Sequence, residues 1–586
     1  MNGFYGRYLH IDLTRQTFSI EPIDARVLES YLGGKGLAAW LLMKLNPPGV
    51  DPLAPENTLI FATGPLGNSM IWGSCRYGVF TKSPQTGLFC ESYAGGRTPD
   101  AIDAAGFDAV VIQGRAERPV ILVVHPDGVD FQPAADIWGM DTYDTEAAVR
   151  ERFAKPAFRR RGAVVIGPAA ENRVRFAVVE NDRWRSAGRT GPGAVMGSKK
   201  LKGILFTGDR KRPQADAAGV KTFSKNFFED FKDHPATQAY KNFGTPMMVK
   251  ILNTAGGFPT RYWQQGTYTH WERISAEALH EQCSVKPNAC GKCFMACGRL
   301  STVKEGRHAG LTIEGPEYET IYAFGGLCCI DRIDEIAHLN DICDRLGMDT
   351  ITAGNLCAFT IEATRRGRVN YPIDYGDVDA IAGLLQQIAG REGIGDVLAE
   401  GIRHAAKTWD LQDIAVHVKG LEPAGYDPRP LKGMGLAYGT SDRGACHLRS
   451  TFYKPELSGM IPADQIAGKA ELFLDFESRL TIFDTLILCR FYRDYYTWEN
   501  LTEAIERVTG LDASQEALKK RALALATLIR RFNLQEGMTP ADDRLPKFLH
   551  KPLTDTGKVI TEAEMETMLA DYYRLHGWDE FGIPKD

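Results

Sequence analysis

The sequence predicts an α+β protein, with an N-terminal β-sheet platform domain followed by two mainly α-helical domains. Two observations carry this. Up to about residue 208, short apolar segments bounded by Gly, Pro or Asp follow one another without the helix that a parallel crossover requires. Beyond the polar stretch DRKRPQADAAG, which begins at Asp209, the apolar pattern becomes helical. A chain of 586 residues is too long for one core and suggests roughly three or four domains. The boundaries expected are 1–208, 209–408 and 409–586.

A hairpin opens the chain, YLHIDL and FSIEPI flanking the turn Thr14-Arg15-Gln16, and an amphipathic helix is expected from Arg26 to Lys44. The strands TLIFATG, RYGVFTKS, GLFCESY, AVVIQG, PVILVVH, GVDFQP, AVVIG and RFAVVEN follow, with Asp127-Gly128 as a hairpin turn. The clearest helix covers Asp331 to Leu346, where Ile333, Ile336, Ala337, Ile342, Cys343 and Leu346 form one stripe and Gly347 ends it. Further helices are expected at 352–366, 376–406 and 465–533. The segment 409–451 reads as irregular, and no internal repeat occurs.

Composition narrows the class. Hydrophobic content of 44%, charged content of 24% and a net charge of -5 describe an ordinary globular protein and argue against a nucleic-acid partner. No run of 18 apolar residues occurs, and MNGFYGRYLHIDLTRQ lacks the pattern of an export signal, so a cytoplasmic protein with no membrane partner is expected. Twelve Cys are too sparse for a disulfide scaffold and leave reduced thiols available as ligands.

Cys290, Cys293 and Cys297 in NACGKCFMACGR form a C-x-x-C-x-x-x-C array that can turn three thiolates toward one centre. Soft thiolate sets select iron–sulfur clusters or zinc, and at this point both stay open. Gly33-Gly34-Lys35-Gly36 lacks the spacing of a phosphate loop. In RSAGRTGPGAVMGSKKLK, Gly188, Gly191, Gly193 and Gly197 would let backbone approach an anion beside Arg185 and Arg189; a plain surface turn is the alternative. A companion Gly/Arg cluster lies at Arg76 and Ser92–Arg97.

Together these segments resemble the aldehyde:ferredoxin oxidoreductase family of tungsten enzymes along the whole chain. The resemblance implies a fourth cluster ligand at the end of a D-x-x-G-L-C element, here Asp484 to Cys489 with Ile487 where Gly is usual; Cys283, Cys328 and Cys329 are nearer in sequence. The sister D-x-x-G-L-D element is Asp344 to Asp349, with Met348 for Leu. It further implies that each element holds one pterin of a tungsten (or molybdenum) bis-pterin, Asp344 and Asp484 acting as hydrogen-bond acceptors and Asp349 and Leu488 lying beside them. The cluster would be [4Fe-4S]. A magnesium ion would bridge the pterin phosphates near Tyr93 and Ser186, with Gly95 and Arg185 alongside, and Arg76 would lie between cluster and pterin.

The same resemblance marks His447 in SDRGACHLRS, Glu314 in preference to Glu317 in EGPEYET, and Tyr426 in LEPAGYDPR as reacting residues. A core imidazole and a loop anchor are the plain readings of His447 and Tyr426. The implied activity is oxidation of a small aldehyde to its acid, with electrons leaving singly to ferredoxin or a separate electron-transfer subunit. A relative working reductively on an acid or an aromatic acyl thioester, or a non-catalytic iron–sulfur or zinc protein, are the alternatives. A homodimer is compatible with the family, some of whose members carry an inter-subunit iron; Glu335-x-x-His338 could contribute to one, although such a helical pair is common on surfaces.

Overall fold

The computed structural model describes residues 1–153 and 157–585. Its first 208 residues hold two six-stranded sheets. The strands β1 (Arg7–Asp12), β2 (Thr17–Pro22), β3 (Leu59–Ala62), β4 (Tyr77–Lys82), β5 (Phe89–Ala94) and β6 (Ala109–Gln113) assemble in the order β2-β1-β6-β3-β4-β5. In the second sheet, β7 (Val120–His125), β8 (Gly128–Pro133), β9 (Arg160–Val165), β10 (Val179–Asn181), β11 (Arg185–Ala187) and β12 (Leu201–Gly208) run β11-β10-β9-β12-β7-β8. The expected opening hairpin is present, Arg7 facing Pro22 and Asp12 facing Thr17.

One expectation needs correction. Each sheet contains a parallel pair, β1 with β6 and β7 with β12, and helices do lie between their strands, among them Gly34–Leu45 and Thr142–Phe153. The second escapes the sequence pattern because TYDTEAAVRERF carries too few large apolar residues to draw a stripe. The helix expected at 26–44 is two, Ala25–Tyr31 and Gly34–Leu45, broken where Leu32 takes φ 58°.

After residue 208 the chain is mainly helical. Ile333–Leu346 ends on Gly347 at φ 78°, as its stripe and glycine predict, and Thr350–Arg365 begins on the capping carboxylate of Asp349. The segment 376–406 divides into Val378–Gly390, Ile394–Ala399 and Ile402–Thr408, and the irregular segment 409–451 includes one helix, Lys432–Thr440. Lys469–Leu486, Trp498–Thr509 and Gln515–Gln535 complete the helices expected to residue 533. A small antiparallel sheet, β13 (Cys283–Asn288), β14 (Gly298–Val303) and β15 (Thr312–Glu314), carries the cysteine loop at its hairpin end, where Asn288 faces Gly298.

Aromatic packing fixes that loop against the helices. Phe227 stacks on Tyr496 and Phe231 on Tyr495, each at 4.4 Å between ring centroids, while Phe294 of the loop meets the Tyr492 ring edge-on at 5.0 Å. Such pairs add roughly 0.5–1.5 kcal/mol each beyond the area they bury. No helix among the described residues is long and apolar enough to cross a membrane.

Candidate active site

Five thiols, not four, meet at the hairpin end. Lys292 and Ala296 take φ 50° and 46°, which curls the loop so that Cys290, Cys293 and Cys297 turn inward. Cys489, 6% exposed, arrives from the remote element, its N–H bonded to Gly73 O at 2.9 Å. Cys75 is the addition: its single S–H lies within hydrogen-bond reach of both Cys290 and Cys489, and this contact holds the Cys489 thiol well below its usual range and Cys290 at about 6. Burial instead pushes Cys293 up to about 11 and raises Cys297. Gly96 N–H donates to Cys290 Sγ at 3.2 Å and Tyr492 OH to Cys293 Sγ at 3.4 Å. Cys283, Cys328 and Cys329 line none of this cavity.

These thiols border a cavity of about 260 Å³ that also exposes Arg76, Tyr93, Gly95, Trp184, Arg185, Ser186, Glu314 and Glu317. A second cavity, about 180 Å³, lies against Ser186, Gly188, Asp344 and Asp349. A third of the same size lies against Tyr426 and His447. Glu317 borders all three, which makes one branched space at the junction of sheets and helices. No three His, Cys, Asp or Glu among the described residues converge on a single-ion position.

The two Asp elements end their helices alike. Met348 N–H bonds to Cys343 O and Leu488 N–H to Phe483 O, both at 2.9 Å, with Gly347 and Ile487 in the left-handed position between. Their carboxylates differ. Asp484 is clamped by Arg449 at 2.7 Å and by Arg490. Asp344 accepts from Asn340 at 2.7 Å and stands near Glu180, Asp341 and Glu314, so burial and like charge hold it protonated well above the usual range. Where it holds a proton it can donate as well as accept. Asp349 is occupied by protein, bonded to Arg189 at 2.9 Å and to Thr352 at 3.0 Å.

The glycine stretches work differently from expectation. A Cβ would stand 2.2 Å from Val178 O on Gly193 and 1.8 Å from Ala170 O on Gly197, so backbone rather than an anion requires these glycines. Gly188 alone of the four opens onto a cavity. In the companion cluster, Gly95 faces Cys290, and a Cβ there would stand 2.9 Å from its sulfur.

EGPEYET presents three carboxylates in three directions. Glu314, in β15, pairs with Arg185, and burial lifts it to about 7. Glu317 accepts from Thr245. Glu319, which the sequence reading passed over, points to His447: its Oε1 stands 3.3 Å from Nε2, and burial raises it to about 8. The signal was present in the motif, but only the turn after β15 decides which Glu faces the imidazole. Burial and the guanidinium groups of Arg189, Arg443, Arg490 and Arg449 keep His447 neutral. Tyr426 stacks between His447 at 5.4 Å and Tyr453 at 4.0 Å.

The arrangement matches a known architecture from end to end. The N-terminal domain of aldehyde ferredoxin oxidoreductase matches residues 8–208, and its domains 2 and 3 match residues 222–586. The chain belongs to this family. It is 34% identical to the tungsten-containing aldehyde ferredoxin oxidoreductase of Pyrococcus furiosus, over 100% of this chain and 98% of that protein. The protein of the same name from Thermococcus kodakarensis gives the same identity and coverage. The aliphatic sulfonate oxidoreductase WOR-like subunit of Pyrococcus furiosus is 28% identical over 100% of this chain and 96% of that protein. Among solved structures, the active site complex BamBC of benzoyl coenzyme A reductase shares the fold at TM-score 0.85, covering 100% of this chain and 96% of that one at 24% identity.

The family's cofactor fits the donor atoms present. Buried around the branched space, Arg76 Nε, Trp184 Nε1 and Arg490 Nη1 have no hydrogen-bond partner in the protein. Orphaned donors at this density are costly unless a polar, anionic group completes them. Glu335, by contrast, is already held by Arg307 at 2.8 Å and His308 at 2.8 Å, with His338 stacked on His308.

Proposed function

We propose that this oxidoreductase converts an aldehyde to its carboxylic acid at a tungsten bis-pterin held in the branched space. The balance is RCHO + H2O → RCOO⁻ + 3 H⁺ + 2 e⁻, the electrons leaving singly to ferredoxin or a similar carrier. The observation that carries the reading is the pair His447 and Glu319 at 3.3 Å on the wall of a cavity that shares Glu317 with the thiol and Asp344 cavities. When bound, the tungsten centre supplies the two-electron oxidation; the protein supplies position, protons and an exit.

His447, kept neutral, would donate a hydrogen bond to the aldehyde oxygen, where negative charge develops. Glu319 would accept a proton from water once ionised, and its raised pKa suits a base working near neutral pH. Glu314 is less suited, because Arg185 already takes its charge. Tyr426 would hold the imidazole plane by stacking and add a donor. Asp344 and Asp484 would each hold one pterin, and Tyr93, Gly95, Arg185 and Ser186 would lie at the phosphates and their magnesium. Cys290, Cys293, Cys297 and Cys489 would ligate a [4Fe-4S] cluster, a reading supported by the four thiols bordering one cavity. Arg76 would bridge cluster and pterin.

Metal and pterin analysis of the purified protein, alongside aldehyde oxidation with a one-electron acceptor, tests this. Tungsten or molybdenum with pterin, about four irons per chain and turnover are expected. Zinc as the sole metal would refute the proposal.

A further inference from the structure

Arg493 is the buried cation of the His447 cavity that no acid neutralises. The residue is 2% exposed, its Nη1 donates to Arg490 O at 2.9 Å, and its Nε has no partner. Among the described residues no carboxylate reaches it within ion-pair distance; its neutral partners are the Tyr240 hydroxyl, to which it hydrogen-bonds, and the Tyr453 ring at 6.0 Å, with Tyr426 also near its charge. Lys454 and Arg479 stand near enough to repel it. The other arginine bordering only this cavity, Arg490, is by contrast paired with Asp484. Burying a guanidinium without a counter-charge is expensive, and the cost is recovered only when an anion enters.

The cavity itself says what kind of molecule brings that anion. Tyr318, Tyr426, Tyr453 and Phe491 wall it, and its volume of about 180 Å³ falls below the roughly 300–1,000 Å³ of pockets that hold drug-sized ligands. Flat aromatic walls at this size accept one ring. His447 and Glu319 border the same space as Arg493, so one molecule can meet both.

Resting on the aldehyde-oxidising reading above, we infer that the substrate is a one-ring aromatic aldehyde bearing an anionic substituent, with Arg493 binding that substituent. The test compares 4-formylbenzoate with benzaldehyde on the holoenzyme, and benzene-1,4-dicarboxylate with benzoate by titration calorimetry, which needs no turnover. The parent is expected to prefer the charged member of each pair by about tenfold or more, equivalent to about 1.4 kcal/mol. Arg493→Met is expected to lower kcat/KM for 4-formylbenzoate by at least about 30-fold and erase the binding preference. Arg493→Lys should restore part of both and guards against a misfolded Met variant.

Oxidation of both aldehydes without preference overturns the inference and leaves the aldehyde reading standing. Selective dicarboxylate binding that Arg493→Met abolishes, with neither aldehyde oxidised, keeps Arg493 as the anion site but overturns the aldehyde named in the inference together with that reading. Loss of pterin from both variants assigns Arg493 to the cofactor and overturns the inference.

Discussion

The elements Asp344–Asp349 and Asp484–Cys489 follow one sequence pattern and close their helices with the same two hydrogen bonds, yet they sit in opposite electrostatic surroundings. Asp344 lies among acids, which together with burial raise its pKa, whereas Asp484 lies between Arg449 and Arg490. Their last residues diverge as well. Asp349 is spent on the protein, capping a helix and neutralising Arg189, while Cys489 joins the thiol cavity. One backbone motif thus ends once on a carboxylate bound into the protein and once on a thiol at the cavity, a difference set by the last residue as well as by what the rest of the chain packs against it.

The largest expected effects fall on the thiol end. Cys489→Ser should cut bound iron and abolish aldehyde-dependent reduction of a one-electron acceptor, because a hard hydroxyl replaces a thiolate. Asp349→Asn should keep its iron and instead lose about 3–5 kcal/mol of stability by leaving Arg189 buried without its partner. Equal iron loss in both variants, read by metal analysis and denaturant unfolding, would erase the division. Next in size, Glu319→Gln should lower kcat about 10²–10⁴-fold, the usual range for a positioned acid–base group. In the parent, kcat should rise with pH through about 8 as Glu319 ionises. A flat profile from pH 6 to 9 would remove Glu319 from that role.

The carboxylates themselves give a smaller and sharper contrast. Asp484→Asn leaves Arg490 without its carboxylate while Arg449 keeps Glu91, and should cost about 3–5 kcal/mol. Asp344→Asn replaces a protonated acid with a neutral group of the same shape. The sign with pH follows from linkage. The folded chain keeps the Asp344 proton that the unfolded chain releases near pH 4, so this site costs stability as pH rises above that value. Asp344→Asn removes the cost, and the variant should gain on the parent between pH 5 and 8 in urea unfolding of the apoprotein. Matching losses at the two positions would mean that their surroundings do not matter.

The cysteine loop could be read from local chemistry at fixed spacing, while both Asp elements and His447 in SDRGACHLRS came from the family resemblance. Cys75 and Glu319 could not be read, for two different physical reasons. Cys75 reaches Cys290 and Cys489 because the segment before β4 is tied to both, Gly73 N–H donating to Lys292 O at 3.1 Å and Cys489 N–H to Gly73 O at 2.9 Å, more than two hundred residues away in the chain. Glu319 stands two residues from Glu317, and whether either faces His447 depends on the single helical turn Tyr318–Thr320. The glycines misled for a related reason: close backbone packing and anion approach both demand a missing Cβ, and spacing alone does not tell them apart. Parallel pairing in the platform was hidden because its crossovers are long and one of their helices has no apolar stripe.

Ile487 carries the smallest prediction and separates the two elements at the backbone. It holds φ 56° where Gly347 holds 78°, a conformation that costs an L residue about 1–2 kcal/mol. The chain keeps it because the side chain is 3% exposed and fills the notch at Gly34, where an added Cβ would stand 2.6 Å from Ile487 Cδ1. Ile487→Gly recovers the backbone strain but empties that notch, and removing a buried aliphatic side chain costs about 2–5 kcal/mol. The packing term wins, so the variant should lose about 1–3 kcal/mol in denaturant unfolding. Gly347→Ala should also destabilise, by at least about 1–2 kcal/mol, through backbone strain and the 3.1 Å approach of the added Cβ to Gly167 N. A stabilised Ile487→Gly would mean that the notch contributes little and that glycine would serve both elements equally well.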